Sequence, residues 1–193
     1  MNKMNLELNE YLNQPAEIIA PLLLGSIMER EINGNVIRVK IVETEAYDET
    51  DAASHSYKGK TQRSEVMFGA AGNLYVYFTY GMHYCCNVVT GPEGTGSAVL
   101  IRAVEPLVGT EYIQKLRSKS GVNTTNGPAK LCQALAIDKK LNGHDLRDKP
   151  LILQLQHPLL KSEITQTTRI GIGKAIDYPW RFYITGNPYV SKI

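Results

Sequence analysis

Hydrophobic and polar residues alternate along the segment from residue 36 to residue 47, and this alternation predicts a strand. Side chains of a strand point alternately to its two faces, so one face should be basic, with Arg38 and Lys40, and the other apolar. The residues assigned to the apolar face are Ile37, Val39, Ile41, Glu43, Glu45 and Tyr47. An ionised carboxylate on an apolar face is costly unless it is paired or used. Two such carboxylates indicate a functional site.

A second alternating segment, residues 74–80, reads LYVYFTY and forms an aromatic ladder. Alternation puts Tyr75 and Tyr77 on one face, and Tyr80 on the other face at a hairpin tip beside a glycine. Tyrosines in strands mostly pack half-buried, but a large ring on a tight turn can wedge between base pairs from the minor groove. Carboxylates near several flat rings suit an enzyme that holds a planar base and cuts at the sugar.

The remaining pattern predicts helices and strands in mixed order. A helix should begin at Pro15 and include Ile27 and Met28 by its apolar spacing, with a turn at 33–35 after it. The predicted strands are 36–43, 74–80, 82–89, 97–105, 151–155, 169–173 and 180–185; the other predicted helices are 109–118 and 127–136. Residues 48–73 form a long polar loop, a kind that is usually functional or disordered.

These elements predict a single α+β domain over residues 1–193, with a curved, largely antiparallel sheet, flanking helices and a protruding β-hairpin. Residues 1–12 are a candidate flexible N-terminal segment. No linker-like stretch divides the chain.

Composition adds little to this picture. The hydrophobic fraction of 43% fits a globular domain with a sizeable core, and the net charge of +2 permits nucleic-acid binding without arguing for it. The three cysteines lack metal-ligand spacing, so reduced thiols and a cytoplasmic location are expected. The sequence has no apolar run of membrane-spanning length and no zinc-deaminase, Walker, HExxH or serine-elbow motif.

Glu43, Glu45 and Arg102 are the candidate chemical groups. Two carboxylates held close together raise the pKa of one of them, which is how general acids and bases are tuned, but the pattern does not say which is the base. Arg102 lies in the apolar run AVLIRAVEP. It can be a structural partner of either carboxylate, or it can orient a water or a phosphate beside a catalytic one. The sequence does not favour either of these two interpretations.

The chain resembles the alkyladenine (3-methyladenine) DNA glycosylases of the type found in animals and many bacteria. The segments that carry the resemblance are IVETEAY, MFGAAGNLYVYFTYGMHYCCNVV, AVLIRAVEPLVG, NGPAKLCQALAI, RIGIG and WRFYITGNPYVS, in the order of the family. The stretch between Tyr47 and His55 is one residue shorter than in the animal members. The long N-terminal extension of those members is missing, which fits a minimal bacterial form.

The resemblance implies a role for each matched residue. Glu45 would be the general base for a water that is also held by Arg102 and the backbone carbonyl of Ile170. The flipped purine would lie among the remaining matched side chains, Tyr47, His55 and Tyr77, with Asn87 rejecting the 2-amino group of guanine. Tyr80 would fill the gap left in the duplex, and phosphate contacts would come from residues such as Lys58, Lys60 and Arg63.

Three functional hypotheses follow, and the resemblance favours the first. The first is a monofunctional glycosylase of base excision repair that removes alkylated or deaminated purines (3-methyladenine, 7-methylguanine, hypoxanthine and ethenoadenine) from duplex DNA. It would act as a monomer, without a metal or another cofactor, and associate with the bacterial nucleoid only through DNA. The second is a non-catalytic damage-recognition module. The third is a hydrolase of free nucleosides or glycosides that uses Glu43 and Glu45 as an acid–base pair.

Overall fold

A computed structural model describes residues 3–79 and 81–191, in which eight strands form one antiparallel sheet. The strands are β1 (Ile27–Ile32), β2 (Asn35–Tyr47), β3 (Leu74–Thr79), β4 (His83–Val89), β5 (Ala98–Val108), β6 (Leu151–Gln154), β7 (Ile164–Thr167) and β8 (Arg181–Ile184). The helices in the same residues are α1 (Lys3–Leu12), α2 (Ala16–Leu22), α3 (Thr110–Arg117) and α4 (Pro128–Ala134).

The sheet has the order β3-β4-β5-β2-β1-β6, and β8 pairs with both β2 and β7. Strand β2 is therefore in contact with three strands, β1, β5 and β8, along its 13 residues. Helices α2 and α4 pack on the central strands β2, β4 and β5, and α3 packs on α4. The predicted fold class, a single α+β domain with a curved antiparallel sheet and a hairpin, is confirmed.

The helix that was predicted to run from Pro15 through Met28 is too long. Helix α2 ends at Leu22, and Ile27 and Met28 begin β1. Between them Gly25 has φ +85°, a left-handed conformation that stops a helix. The predicted turn at 33–35 is correct, and it joins β1 to β2 in a hairpin. Pairing with β2 and β6 overrides the helical spacing of these apolar residues.

The prediction that one face of β2 carries both the apolar residues and the two glutamates is wrong. The register of β2 against β5 shifts between Ile41 and Glu43 and again between Glu43 and Thr44. Before the shift, Ile41 lies in the core; after it, Ala46 lies in the core and the Thr44 hydroxyl donates to the Ala20 carbonyl of α2 at 2.8 Å. The irregularity turns the glutamates away from the core, a common use of a bulge beside a site.

The hairpin of β3 and β4 agrees with its prediction. Leu74 and Val76 face the main core, and Tyr75 and Tyr77 face the opposite side. The predicted strand at 169–173 is not formed: the segment is a loop, in which Gly171 has φ +75°. The backbone N–H of Ile170 in this loop bonds a glutamate side chain instead of a neighbouring strand. Strand β7, which was not predicted, pairs with β8 in its place.

Candidate active site

A cavity of about 660 Å³ opens between β3, β4, β5 and the loop that follows β7. The resemblance implies eight catalytic, base-binding and intercalating residues, and the cavity wall includes six of them: Tyr47, His55, Tyr77, Asn87, Arg102 and Ile170. Glu45 is fully buried. The three residues that contact its carboxylate, Tyr47, Ile170 and Arg102, all line the cavity, so Glu45 lies directly behind the cavity wall. The eighth residue, Tyr80, lies outside the described residues.

Glu45 is held by three donors. Its Oε1 accepts from the backbone N–H of Ile170 at 2.8 Å and lies 3.1 Å from Nη1 of Arg102. Its Oε2 accepts from the Tyr47 hydroxyl at 2.8 Å. A carboxylate has about four acceptor positions, so one position on Oε2 is left for a further donor. The Glu45 carboxylate is thus fixed in direction, and one of its acceptor positions has no donor among the described residues.

Arg102 connects the two glutamates. Its Nη1 reaches Glu45 and also donates to the Ile170 carbonyl at 3.5 Å, while its Nε lies 3.3 Å from Oε1 of Glu43. Burial lowers the pKa of the Arg102 guanidinium, but the adjacent Glu45 and Glu43 raise it above its ordinary value. Arg102 therefore stays charged; it is a structural partner of both glutamates, and it also lines the cavity.

Glu43 is occupied by structural contacts. Its Oε1 accepts from Nε of Arg181 at 2.6 Å and from the Ser191 hydroxyl at 2.9 Å, and its Oε2 accepts from the Ser191 backbone N–H at 2.7 Å. The residue is fully buried, and the cavity wall does not include it. Glu43 ties β2 to β8 and to the end of the described chain.

Aromatic rings and an amide form one side of the cavity. The rings of Tyr75 and Tyr77 are stacked with centroids 5.6 Å apart, and the His55 ring meets Tyr77 edge-on at 4.6 Å. Nδ1 of His55 lies 2.9 Å from the Tyr75 hydroxyl. On the neighbouring strand, the Asn87 amide donates to the Tyr75 carbonyl at 3.1 Å, which fixes the Asn87 side chain at the wall.

Burial sets the ionisation of the groups on the cavity wall. Burial first, and then the neighbouring Glu45, raises the pKa of Tyr47, so its hydroxyl remains a proton donor to that carboxylate. Burial also raises the pKa of Tyr77. Burial, helped by the charge of Arg63, lowers the pKa of His55 to about 4, so the imidazole is neutral at physiological pH. The described rings are therefore uncharged.

Arg169 is a site residue that the sequence reasoning missed. Its guanidinium lies 4.6 Å from the centroid of the Tyr47 ring, donates to the Ala46 carbonyl at 2.9 Å and forms a buried two-point ion pair with Asp51. This ion pair fastens the polar loop after β2 to the loop after β7. The only sequence signal was an arginine within RIGIG and an aspartate in a long loop.

Lys174 is a second residue that the sequence reasoning did not place in the site. It follows Gly171-Ile172-Gly173 in the loop after β7, and these four residues line the cavity with Ile170. Lys174 itself is exposed. Within the described residues, no cluster of three or more histidine, cysteine or acidic side chains is arranged to hold a metal ion.

The comparisons of this chain with a family model and with similar proteins agree with one another. The family model of methylpurine-DNA glycosylases matches residues 10–188. A protein of Carboxydothermus hydrogenoformans is 55% identical over 177 residues, which cover 91% of this chain and 93% of the relative. One from Methanoculleus marisnigri is 52% identical (79% and 82% covered), and one from Clostridium botulinum is 46% identical (95% and 97% covered). Each is provisionally named a 3-methyladenine DNA glycosylase.

No helix in the described part of this chain is long and apolar enough to cross a membrane.

Proposed function

This chain belongs to the methylpurine-DNA glycosylase family and is a DNA glycosylase, and we propose that it removes damaged purines from duplex DNA with a water activated by Glu45. The substrates are alkylated or deaminated purines of the 3-methyladenine, 7-methylguanine, hypoxanthine and ethenoadenine class. The protein acts as a monomer. One observation carries the proposal: a buried carboxylate is held by three donors that all line a cavity with aromatic rings, and one of its acceptor positions has no donor among the described residues.

The chemical step needs an acceptor for one proton. A water bound at the free position of Glu45 Oε2 transfers a proton to the carboxylate as its oxygen attacks C1′ of the nucleotide. The bond from C1′ to the base nitrogen breaks, and the base leaves with the electron pair. The Ile170 carbonyl and the Arg102 guanidinium, which are 3.5 Å apart, supply an acceptor and a donor near the same carboxylate. A positioned general base contributes about 10²–10⁴ to the rate.

The rings provide the binding energy for a base that has left the duplex. Unpairing and unstacking cost about a few kcal/mol, and less where damage has weakened the pair. Stacking on an aromatic side chain returns about 1–3 kcal/mol per base. Tyr47, His55 and Tyr77 line the cavity together and are the proposed stacking surfaces. Asn87, fixed by its bond to Tyr75, is proposed to exclude the 2-amino group of guanine.

Tyr80 is proposed to occupy the space that the flipped nucleotide leaves. In the sequence, Tyr80 comes directly after β3, the strand that carries Tyr77. Insertion of a ring from this tip would place the rest of the hairpin, and with it the cavity, beside the displaced nucleotide.

The two alternative hypotheses have less support. A damage-recognition module needs no buried general base, and the family is one of glycosylases. A glycosidase pair needs both carboxylates at the substrate, whereas Glu43 is buried among Arg181, Arg102 and Ser191 and does not line the cavity.

The test is single-turnover base release from a duplex that carries one hypoxanthine or one ethenoadenine. Wild type should release the base, and Glu45→Gln should be slower by about 10²–10⁴ while it still binds the lesion duplex. Glu111→Gln, an exposed glutamate of α3, is the matched control and should behave as wild type. Tight lesion binding without release by wild type would support the recognition module instead.

A further inference from the structure

Arg63 lies beside the rings of the cavity, although it is an exposed residue of the polar loop. Its guanidinium carbon is 5.6 Å from the centroid of the Tyr77 ring. The charge of Arg63 also acts on the pKa values of Tyr75 and His55, for both of which burial is the first cause of the shift. One exposed positive charge therefore lies near three rings of the cavity wall. We propose that Arg63 is a specificity-determining residue that makes the cavity favour neutral damaged purines over cationic ones.

His55 is a neutral member of this group. Its Nδ1 lies 2.9 Å from the Tyr75 hydroxyl. Burial first, and then the charge of Arg63, lowers the pKa of His55 to about 4. His55 is thus an uncharged imidazole on the cavity wall.

The buried charges around the cavity do not offset Arg63. Among the described residues, the buried ionisable side chains of the two signs are equal in number: Glu43, Glu45 and Asp51 against Arg102, Arg169 and Arg181. Arg63 lies over the Tyr77 ring, and Lys174 is an exposed residue that lines the cavity. A positively charged base therefore meets a Tyr77 ring that is already near a cation, which weakens the attraction between the base and that ring.

This inference rests on the proposed function, and it is tested by a ratio of two substrates. We compare kcat/KM for 3-methyladenine released from methylated duplex DNA, which is cationic, with kcat/KM for hypoxanthine, which is neutral. Neither base has a 2-amino group, so Asn87 does not discriminate between them. In Arg63→Gln the ratio of 3-methyladenine to hypoxanthine should rise by about fivefold at low ionic strength, and by less as salt is added.

Lys58→Gln removes the same charge from an exposed position in the same loop and is the matched control. It should leave the ratio as in wild type, even where it lowers both rates. An Arg63→Gln protein in which both rates fall equally would make Arg63 a phosphate contact and overturn the inference. A wild type that releases neither base would overturn the proposed function itself, so the two failures differ.

An NMR titration of His55 gives a readout that does not depend on turnover. Loss of Arg63 should raise the pKa of His55 from about 4. An unchanged pKa of His55 in Arg63→Gln would show that the Arg63 charge does not act on the cavity rings and would overturn the inference.

Discussion

Glu43→Gln should destabilise the protein far more than Glu45→Gln. Glu43 is fully buried and faces four donors: two arginine Nε atoms, at 2.6 Å and 3.3 Å, and the N–H and hydroxyl of Ser191. In either orientation a glutamine at residue 43 turns its NH₂ group toward an N–H donor. Arg181, 2% exposed, also loses the full charge of its partner.

The size of the effect follows from these contacts. Removing one partner of a buried ion pair costs about 3–5 kcal/mol, a large part of the about 5–15 kcal/mol that a domain usually has. For a chain of this length that corresponds to a fall in Tm of about 6–20 °C. In Glu45→Gln, the amide oxygen can still accept from Ile170 and Arg102, and its NH₂ can donate to the Tyr47 oxygen. The expected loss there is about 1–2 kcal/mol.

Urea and thermal unfolding of both variants, with base release measured per folded molecule, test this difference. Ser191→Ala, which removes a single hydroxyl bond to Glu43, serves as a mild control with an expected loss of about 1 kcal/mol. A Glu43→Gln protein as stable as wild type would show that the buried contacts of Glu43 do not stabilise the fold. A folded Glu43→Gln protein without base release, beside an active Glu45→Gln protein, would make Glu43 the general base.

Three further predictions concern neighbouring side chains. Tyr47→Phe keeps the ring but removes a bond to a carboxylate, so the free energy of unfolding should fall by about 1.5–3 kcal/mol and base release should slow; wild-type release would argue against this contact. Arg169→Gln should cost about 3–5 kcal/mol in urea unfolding, and its effect should be less than additive with Asp51→Asn; additive losses would mean that the two side chains are not coupled. Since the pKa of His55 is about 4 when folded, against an ordinary 6.5, the unfolded chain binds more protons between these values. Stability should therefore fall as pH is lowered from about 6.5 to 4, and less steeply in His55→Asn; parallel curves for the two proteins would refute this.

Local patterns in the sequence were enough to predict much of the fold. The alternation in residues 74–89 placed a hairpin with Tyr75 and Tyr77 on one face, because the pleat of a strand determines side-chain direction without help from distant residues. The turn at 33–35 is likewise a local property. Local patterns failed where distant pairing decided the outcome, as for Ile27 and Met28, which have helical spacing but pair with β2 and β6.

The candidate active site likewise has features that local sequence determined and features that distant pairing decided. The sequence by itself determined which residue types were present: two glutamates near the end of one strand, an arginine in an apolar run, and a ladder of aromatic rings. Only the tertiary structure decided which glutamate contacts residues of the cavity wall, because it depends on the register shift of β2 against β5 and on donors of Arg181, Ser191 and Ile170, which lie far along the chain. A carboxylate's role depends on the donors that surround it, and those donors are assembled by strand pairing and loop packing rather than by neighbours in sequence.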